Sequence, residues 1–335
     1  MRPNNKETSV TATDLPDDPP KSFDALSFLR KTALLWILVL LCVIAGLLSP
    51  HFFQWPNLVN VSRQVALYGI VSLSMTMVIL TKGIDLSVGS IVGVVAVTCA
   101  GALADGYNVA VTMLVGLMIG AAMGAVNGIG VTLGRVPPFI MTLGMMVVGR
   151  GITMMISNGT PVNLGDGDGG AFRWLGNGRI LDVPVPVWLF AVLALVVGFV
   201  LTRTVFGRSI YALGSNEEAA RLAGIPVQRT IFLVYVINGI FAALTSLIFV
   251  SRLTVGEPTA GTGLELEAIT IVVIGGTSLF GGEGGVLGTV IGAAIIAVLA
   301  NVLNLFGISP FTQQVVKGTI IVLAVLAETL RTRRN

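Results

Sequence analysis

Long apolar runs alternate with short polar connections along most of the chain. Ten such runs recur, each close to the roughly 20 residues with which an α-helix crosses the hydrocarbon core of a membrane. The pattern predicts an all-α membrane protein with about ten transmembrane helices. The second and eighth runs are short, so these segments could be partly re-entrant. The predicted spans are Ala33–Ser49, Val65–Leu80, Leu86–Ala104, Val109–Leu133, Pro138–Ile156, Val185–Thr202, Ile231–Ser251, Glu267–Gly281, Gly284–Phe306 and Thr312–Glu328.

Basic residues are distributed unevenly between the connections, and this bias predicts the orientation of the chain. With the N-terminus inside, fourteen Lys and Arg residues lie on the cytoplasmic side and four on the outer side. Cytoplasmic loops of membrane proteins carry such an excess. Because both ends carry bases, we expect two cytoplasmic termini and an even number of spans. The cytoplasmic set is Arg2, Lys6, Lys21, Arg30, Lys31, Lys82, Arg135, Arg203, Arg208, Arg221, Arg229, Arg331, Arg333 and Arg334, and the outer set is Arg63, Arg173, Arg179 and Arg252.

Composition excludes a soluble protein. Apolar residues make up 54% of the chain and charged residues 11%, whereas about a quarter of the residues of a soluble domain are charged. Residues 1–31 are polar and rich in proline near LPDDPP, which predicts a disordered cytoplasmic tail. Residues 32–330 form the predicted transmembrane domain, and residues 331–335 form a basic cytoplasmic tail.

A polar segment late in the chain, residues 202–230, lies between two predicted spans on the cytoplasmic side. It contains a short helix with signals at both ends. Ser215 and Glu218 match the S-x-x-E capping box at its start, and Gly224 followed by Pro226 predicts its end. Since about two turns of helix are unstable alone in water, we expect a partner protein to hold it. The expected contact residues are Ser215, Asn216, Glu217, Glu218, Ala219, Ala220, Arg221, Gly224 and Pro226.

A charged turn, TKGIDLSVGS, joins the second and third predicted spans. Asp85 in this turn is costly near the membrane unless it is paired or hydrated, and Lys82 is the nearest candidate partner. Ser87 could cap the third span, while Asp85 complements the positive end of that helix. A structural cap is the first interpretation, and a gating or ligand contact is the alternative.

Further polar side chains lie inside the predicted spans. Arg150 and Lys317 each need a partner or water, because a charge at bilayer depth costs roughly 2.5–3.5 kcal/mol. Amides and hydroxyls in lipid commonly form interhelical hydrogen bonds, but a subset could line a polar path for a hydroxylated solute. The candidates for such a path or gate are Asp85, Ser87, Asn127, Arg150, Asn238, Thr277 and Asn304.

Two outer segments follow from the same topology. Residues 157–184 form the largest outer loop, which is rich in glycine and aspartate. The segment from Arg252 to Glu267 carries three acidic residues, which could dock basic patches on an external protein or form a solvated rim. These acids are Glu257, Glu265 and Glu267.

Glycines recur at every fourth position of the fourth predicted span, at Gly116, Gly120, Gly124 and Gly128. This spacing strips one face of a helix of side chains and lets another backbone approach closely, as small residues do at helix interfaces in membranes. The pattern predicts a tight helix–helix contact, with a pore lining as the alternative.

Enzyme motifs are absent from the sequence. It contains no G-x-x-x-x-G-K-[ST] phosphate loop, and its single histidine, His51, lies at a predicted membrane edge. Neither a Ser-His-Asp triad nor an HExxH zinc motif can be built from one such histidine. We therefore expect a protein that is not an enzyme and that binds no nucleotide, metal or cofactor itself.

The motifs from about residue 48 to residue 326 resemble those of the ribose-type permease subunits of bacterial ATP-binding-cassette (ABC) importers. The similar segments are GIDLSVGS, GRVPPFIMTLGMM, RGITM, NGTPVN, YALGSNEEAARLAGIPV, PTAGTGLELEAI, VVIGGTSLFGG and LNLFGISPF. EAARLAG, from Glu218 to Gly224, matches the first half of the E-A-A-x-x-x-G pattern of importer permeases. The I-x-L-P half of the longer pattern is missing, which favours the ten-span class, similar to vitamin-B12 permeases, over the maltose-type class.

The resemblance implies the following system. Two permease subunits pair as a homo- or heterodimer in the bacterial inner membrane, surrounded by lipid. A periplasmic sugar-binding protein delivers the solute, and a separate cytoplasmic ABC ATPase, which binds ATP and Mg, drives its import. Residues 203–230 would then form the cytoplasmic coupling loop to this ATPase, and residues 157–184 a periplasmic loop. No nucleic-acid partner is expected.

Several functions remain open on the sequence alone. Within the same family, the solute could be ribose or a related monosaccharide, a nucleoside, an autoinducer sugar or a sugar alcohol. A self-sufficient secondary carrier or channel is a different class, which the capped cytoplasmic helix and the lack of a chain of acidic residues at the midplane disfavour. A membrane-embedded enzyme is the least favoured, because no nucleophile–base pair is available.

Overall fold

The computed structural model describes residues 25–165 and 169–332. These residues form thirteen helices and four two-residue strands. The helices are α1 Ala25–Leu48, α2 Trp55–Leu80, α3 Val88–Ala104, α4 Val109–Thr132, α5 Pro138–Ser157, α6 Gly169–Asn177, α7 Val185–Arg203, α8 Val205–Ser215, α9 Glu217–Leu222, α10 Val227–Leu253, α11 Leu264–Ile274, α12 Val286–Leu305 and α13 Pro310–Thr332. The strands are β1 Val162–Asn163, β2 Arg179–Ile180, β3 Val183–Pro184 and β4 Val255–Gly256.

The predicted all-α membrane architecture is confirmed, although the count of ten crossings stays a prediction. Six described helices (α2, α4, α5, α7, α10 and α12) are long and apolar enough to cross a membrane, and α3 and the apolar part of α1 are shorter. The second span is not short, since α2 has 26 residues. The eighth is interrupted: α11 has 11 residues, about 16 Å at 1.5 Å per residue, and residues 275–285 beyond it are not helical.

The centre of the molecule is formed by α2, α3 and α10, whose buried residues make up most of the hydrophobic core. The glycine face of α4 packs directly against α10, as predicted. A Cβ atom at Gly120 would collide with the carbonyl oxygen of Gly239, and one at Gly124 with the carbonyl oxygen of Tyr235. The opposite side of α4 exposes large apolar residues such as Leu114 and Met118, which suits contact with lipid.

The largest predicted outer loop contains secondary structure that the sequence did not indicate. Within it α6 buries Phe172 completely in the core. Strands β2 and β3 form a hairpin just before α7, and β1 pairs in an antiparallel arrangement with β4. Through α6, β1 and β4, the predicted outer side is anchored to α3 and α10.

The two predicted tails are shorter than expected. Helix α1 begins at Ala25, so residues 25–31 belong to a helix rather than to the N-terminal tail. Helix α13 extends to Thr332, which includes the first two residues of the predicted C-terminal tail. Residues 1–24 and 333–335 of these tails lie outside the described residues.

Candidate functional site

The segment between α7 and α10, predicted to be cytoplasmic, consists of two consecutive helices, of which only the second was predicted. Thr204 caps α8 by accepting a hydrogen bond from the backbone N–H of Gly207 at 3.1 Å. Ser215 is the last residue of this helix, so it cannot cap the next one. Asn216 instead adopts an extended backbone, and its side chain accepts from the N–H of Ala219 at 3.0 Å. The capping box of Ser215 and Glu218 is therefore wrong, and Asn216 is the N-cap of α9.

The end of α9 follows the prediction. Gly224 has a φ of +80°, the left-handed conformation that glycine adopts without strain. The N–H of Gly224 donates to the carbonyl of Arg221, and the N–H of Ile225 donates to the carbonyl of Ala220, both at 3.0 Å. These two bonds form a Schellman motif. Pro226 follows as the N-cap residue of α10, so α9 and α10 are joined by a defined turn.

One face of α9 is exposed within the described part of the chain. Ala220 is buried against the rest of the protein, whereas Leu222 is 85% exposed. Glu217 and Arg221 form an exposed ion pair one helical turn apart, with 2.7 Å between Oε1 and Nη2. A six-residue helix with an apolar tip and a charged flank therefore projects from the membrane domain on the predicted cytoplasmic side.

The end of α8, just before α9, packs against the membrane helices through backbone contacts. A Cβ atom at Gly214 would collide with the carbonyl oxygen of Leu80, the last residue of α2, and would lie 2.5 Å from the backbone nitrogen of Gly282. Gly282 in turn donates to the carbonyl of Leu80 at 3.0 Å. The ends of α2 and α8 and the segment between α11 and α12 thus meet without intervening side chains.

Lys82 contributes to the same junction rather than to Asp85. Its Nζ donates to the carbonyl of Ser215 at 3.4 Å, and its backbone is left-handed with a φ of +62°. The predicted pairing of Lys82 with Asp85 is therefore wrong. The turn directs the lysine outward to the end of α8 and the aspartate inward to the core.

Asp85 lies at the centre of a buried hydrogen-bond network. One carboxylate oxygen accepts from the backbone N–H and the hydroxyl of Ser87 at 2.8 and 2.6 Å. The other oxygen accepts from the Asn238 amide at 2.8 Å. Asn127 donates to the Ser87 hydroxyl at 2.8 Å, and Ser74 donates to Asn238 at 2.7 Å. All five side chains are fully buried, so the network joins α2, α4 and α10 to the entry of α3.

The other three predicted path residues are dispersed. Arg150 on α5 donates to the carbonyl of Ala260 at 2.9 Å and lies close enough to Glu265 for their charges to interact. Thr277 is buried beside Gly284, and its hydroxyl has no hydrogen-bond partner among the described residues. Asn304 accepts from the amide of Gln313 at 2.8 Å. Four of the seven candidates thus form one cluster, and three do not join it.

Two cavities lie near the start of α11. The first, of about 350 Å³, lies between α2, α10 and the segment before α11, and the second, of about 510 Å³, lies between α11 and α13. The acidic segment lines them instead of forming a solvated rim: Glu265 is buried, and Glu267 forms an ion pair with Lys317. This pair supplies the partner that the sequence required for Lys317.

Comparison with known proteins identifies the family. Residues 57–325 match the family described as the permease component of branched-chain amino acid transport systems. A ribose import permease of Escherichia coli (strain K12) is 46% identical over 301 residues, covering 90% of this chain and 94% of that relative. The chain belongs to the ribose-type permease family of ABC importers.

Other relatives of the permease agree with this assignment. A ribose import permease of Bacillus subtilis (strain 168) is 43% identical and covers 87% of this chain and 90% of its own length. A xylose transport system permease of Escherichia coli (strain K12) is 36% identical, with 91% and 94% of the two chains covered. No solved structure matches the chain. The permease is a multi-pass inner-membrane protein, and its relatives are transport components rather than enzymes.

Proposed function

We propose that the permease imports a monosaccharide, ribose or a close relative, with energy from a separate cytoplasmic ABC ATPase. The names of the relatives support a sugar: the ones quoted above are named as ribose import permeases and as a xylose transport system permease. A periplasmic binding protein delivers the sugar, and a second permease subunit completes the pathway. ATP and Mg are bound by the ATPase, and no cofactor is needed by this chain.

The observation that carries the coupling proposal is the projecting helix α9. Its ends are satisfied by Asn216 and by the turn at Gly224, while Leu222 at its tip is 85% exposed. Six helical residues gain little stability from their own hydrogen bonds. A groove on the ATPase that takes up Leu222 would bury this apolar tip and hold the helix in place.

The contacts at the base of α9 suggest how movement is transmitted. Since Gly214 touches the Leu80 carbonyl and Gly282, a displacement of α8 and α9 cannot be absorbed by side-chain rearrangement. It must shift the end of α2 and the segment before α12. The Asp85 network lies a few residues beyond Leu80 and connects this shift to α4 and α10. Nucleotide in the ATPase would thereby favour one of two packings of the permease pair.

Leu222→Asp is expected to lower the amount of ATPase that copurifies with the permease by at least about tenfold, because a few buried residues carry most of the binding energy of an interface and a charge would replace the apolar tip of α9. The substitution leaves a fully solvated position polar, so the amount of permease in the membrane should not change. The measurement is copurification of tagged permease with its ATPase from detergent-solubilised membranes, followed by ATP hydrolysis by the complex.

The matched control is Leu181→Asp. Leu181 is 84% exposed, but it lies in the hairpin between β2 and β3 on the predicted outer side. This variant should retain the ATPase at the wild-type level. Equal retention by both variants would refute the role of α9, and equal loss would indicate that any exposed charge disturbs the complex.

A further inference from the structure

The two cavities beside α11 have one acidic side chain in common. Glu267 lines both the cavity between α2 and α10 and the cavity between α11 and α13. Both volumes fall within the range of about 300–1,000 Å³ that is typical of small-molecule sites. They lie towards the predicted outer side, next to the β1–β4 pair, which is where a delivered solute would enter.

Glu267 is surrounded by groups that fix its position. Its carboxylate forms an ion pair with Lys317 of α13, and the two side chains are 17% and 20% exposed. The phenol of Tyr68 on α2 is close to the same carboxylate, and Arg252 on α10 lines the first cavity together with it. Four elements, α2, α10, α11 and α13, therefore bring polar groups together around the partly exposed carboxylate of Glu267.

Polar groups without partners line the first cavity. Thr245 on α10 is 2% exposed, and its hydroxyl has no hydrogen-bond partner in residues 25–165 or 169–332. Within the same described ranges, Gln64 Oε1 is also buried and unpaired, and both residues line the first cavity. Glu265 Oε2 is unpaired as well, but it faces the backbone of Gly89 on α3. An unpaired buried polar group destabilises a protein, so the two at the first cavity indicate a ligand that would pair with them.

The chemistry of the lining suits a neutral polyhydroxylated solute. Hydroxyl groups both donate and accept, so they can pair with the carboxylate of Glu267, with the amide of Gln64 and with the hydroxyl of Thr245. The apolar faces of Phe249 and Tyr68 can cover the C–H surface of a sugar ring. The first cavity is lined by two carboxylates, Glu257 and Glu267, and by one cation, Arg252. This excess of negative charge disfavours a carboxylate ligand, whereas the guanidinium of Arg252 can donate to the hydroxyl oxygens of a sugar.

We propose that Thr245, Gln64 and Glu267 form a sugar-contacting site on the outer half of the permease, which captures the sugar as the binding protein releases it. This inference rests on the proposed function, since it assigns the contacts of the transported solute. Sugar held at this site cannot rebind to the binding protein, so a weaker site would let more sugar return to it. Removing one hydrogen bond should therefore lower the number of sugar molecules imported per ATP hydrolysed.

The test uses the complete complex of permease, ATPase and binding protein in proteoliposomes, with radiolabelled D-ribose as the probe. Thr245→Val removes an unpaired hydroxyl while preserving shape, so the fold should be as stable as the wild type or slightly more so. Ribose uptake per ATP should fall by about 3- to 10-fold, the change in affinity that corresponds to the loss of one neutral hydrogen bond. Stimulation of ATP hydrolysis by the loaded binding protein should persist.

Thr112→Val is the matched control. Thr112 is also 2% exposed and its hydroxyl is also unpaired within the part of the chain that the structure describes, but it lies outside both cavities. This variant should keep the wild-type ratio of ribose to ATP. Equal ratios for the two variants would overturn the site, as would a Thr245→Val variant that loses uptake and hydrolysis in parallel.

A second comparison separates solute contact from structural pairing at Glu267. The Glu267→Gln and Lys317→Met double variant removes both charges, so no unpaired charge is left and stability should recover relative to Glu267→Gln alone. If Glu267 contacts the sugar, the ratio of ribose to ATP should stay low in the double variant. A wild-type ratio in the double variant would show that Glu267 only pairs with Lys317 and does not contact the sugar. A wild-type complex without ribose-stimulated hydrolysis would instead overturn the proposed function itself.

Discussion

A Gly214→Val variant is expected to unfold at a lower temperature than the wild-type permease and to lose sugar uptake. The added side chain would occupy the space of the Leu80 carbonyl and the Gly282 backbone. Because both neighbours are backbone atoms within a hydrogen-bonded junction, neither can rotate away. We expect a loss of about 3 kcal/mol in the free energy of unfolding, the upper end of the usual range for overpacking. The midpoint of thermal unfolding in detergent and uptake of D-ribose by cells are the measurements.

Gly198→Val supplies the control for this prediction. Gly198 lies in α7, and a Cβ atom there would meet nothing within 4 Å. Valine and glycine both have modest helix propensities, so the free energy of unfolding should change by less than about 1 kcal/mol. If the two variants have the same unfolding midpoint, the junction of α2, α8 and the segment before α12 is looser than the structure indicates.

Asp85→Leu is expected to lower the free energy of unfolding about as much as Gly214→Val does, but by a different mechanism. The leucine side chain is similar in size, but it accepts no hydrogen bonds from Ser87 or Asn238. Their donors would be left unpaired in a fully buried position. Each buried donor left without an acceptor costs about 1–3 kcal/mol. The free energy of unfolding in detergent and the amount of protein in the membrane should both fall.

Two further variants calibrate that result. Asp85→Asn keeps one acceptor oxygen, so it should cost less than half as much as Asp85→Leu. Asp105→Leu changes an exposed acid at the end of α3, and such surface changes are usually within about 0.5 kcal/mol. An Asp85→Leu variant as stable as Asp105→Leu would contradict the central role of the network.

The sequence correctly predicted features that depend only on residues close together in the chain. Gly224 and Pro226 fix the end of α9 through backbone conformation alone, and the glycines of α4 fix a smooth helix face. The start of α9 was misjudged because both Ser215 and Asn216 can cap a helix. The choice depended on α8, which is capped at Thr204 and extends through Ser215. Ser215 is therefore part of α8, and Asn216 is the residue left to cap α9.

Contacts between distant segments could not be predicted from spacing. Lys82 and Asp85 are three residues apart, yet one side chain contacts Ser215 and the other Asn238, more than 130 positions further along the chain. Likewise, Gln64, Tyr68 and Thr245 are unremarkable polar positions within apolar runs, and only the packing of α2 on α10 brings them to one cavity. The path candidates Asn127 and Asn238 belong instead to the buried network.

The length of α11 has a consequence for biosynthesis. Its 11 residues are too few to partition into the bilayer as an independent segment during synthesis, since insertion requires about 20 apolar residues. The irregular backbone on either side of it would expose unpaired amides to lipid. Gly275 at its end packs backbone to backbone against Gly288 of α12. We therefore expect α11 to enter the membrane together with α12, as a hairpin.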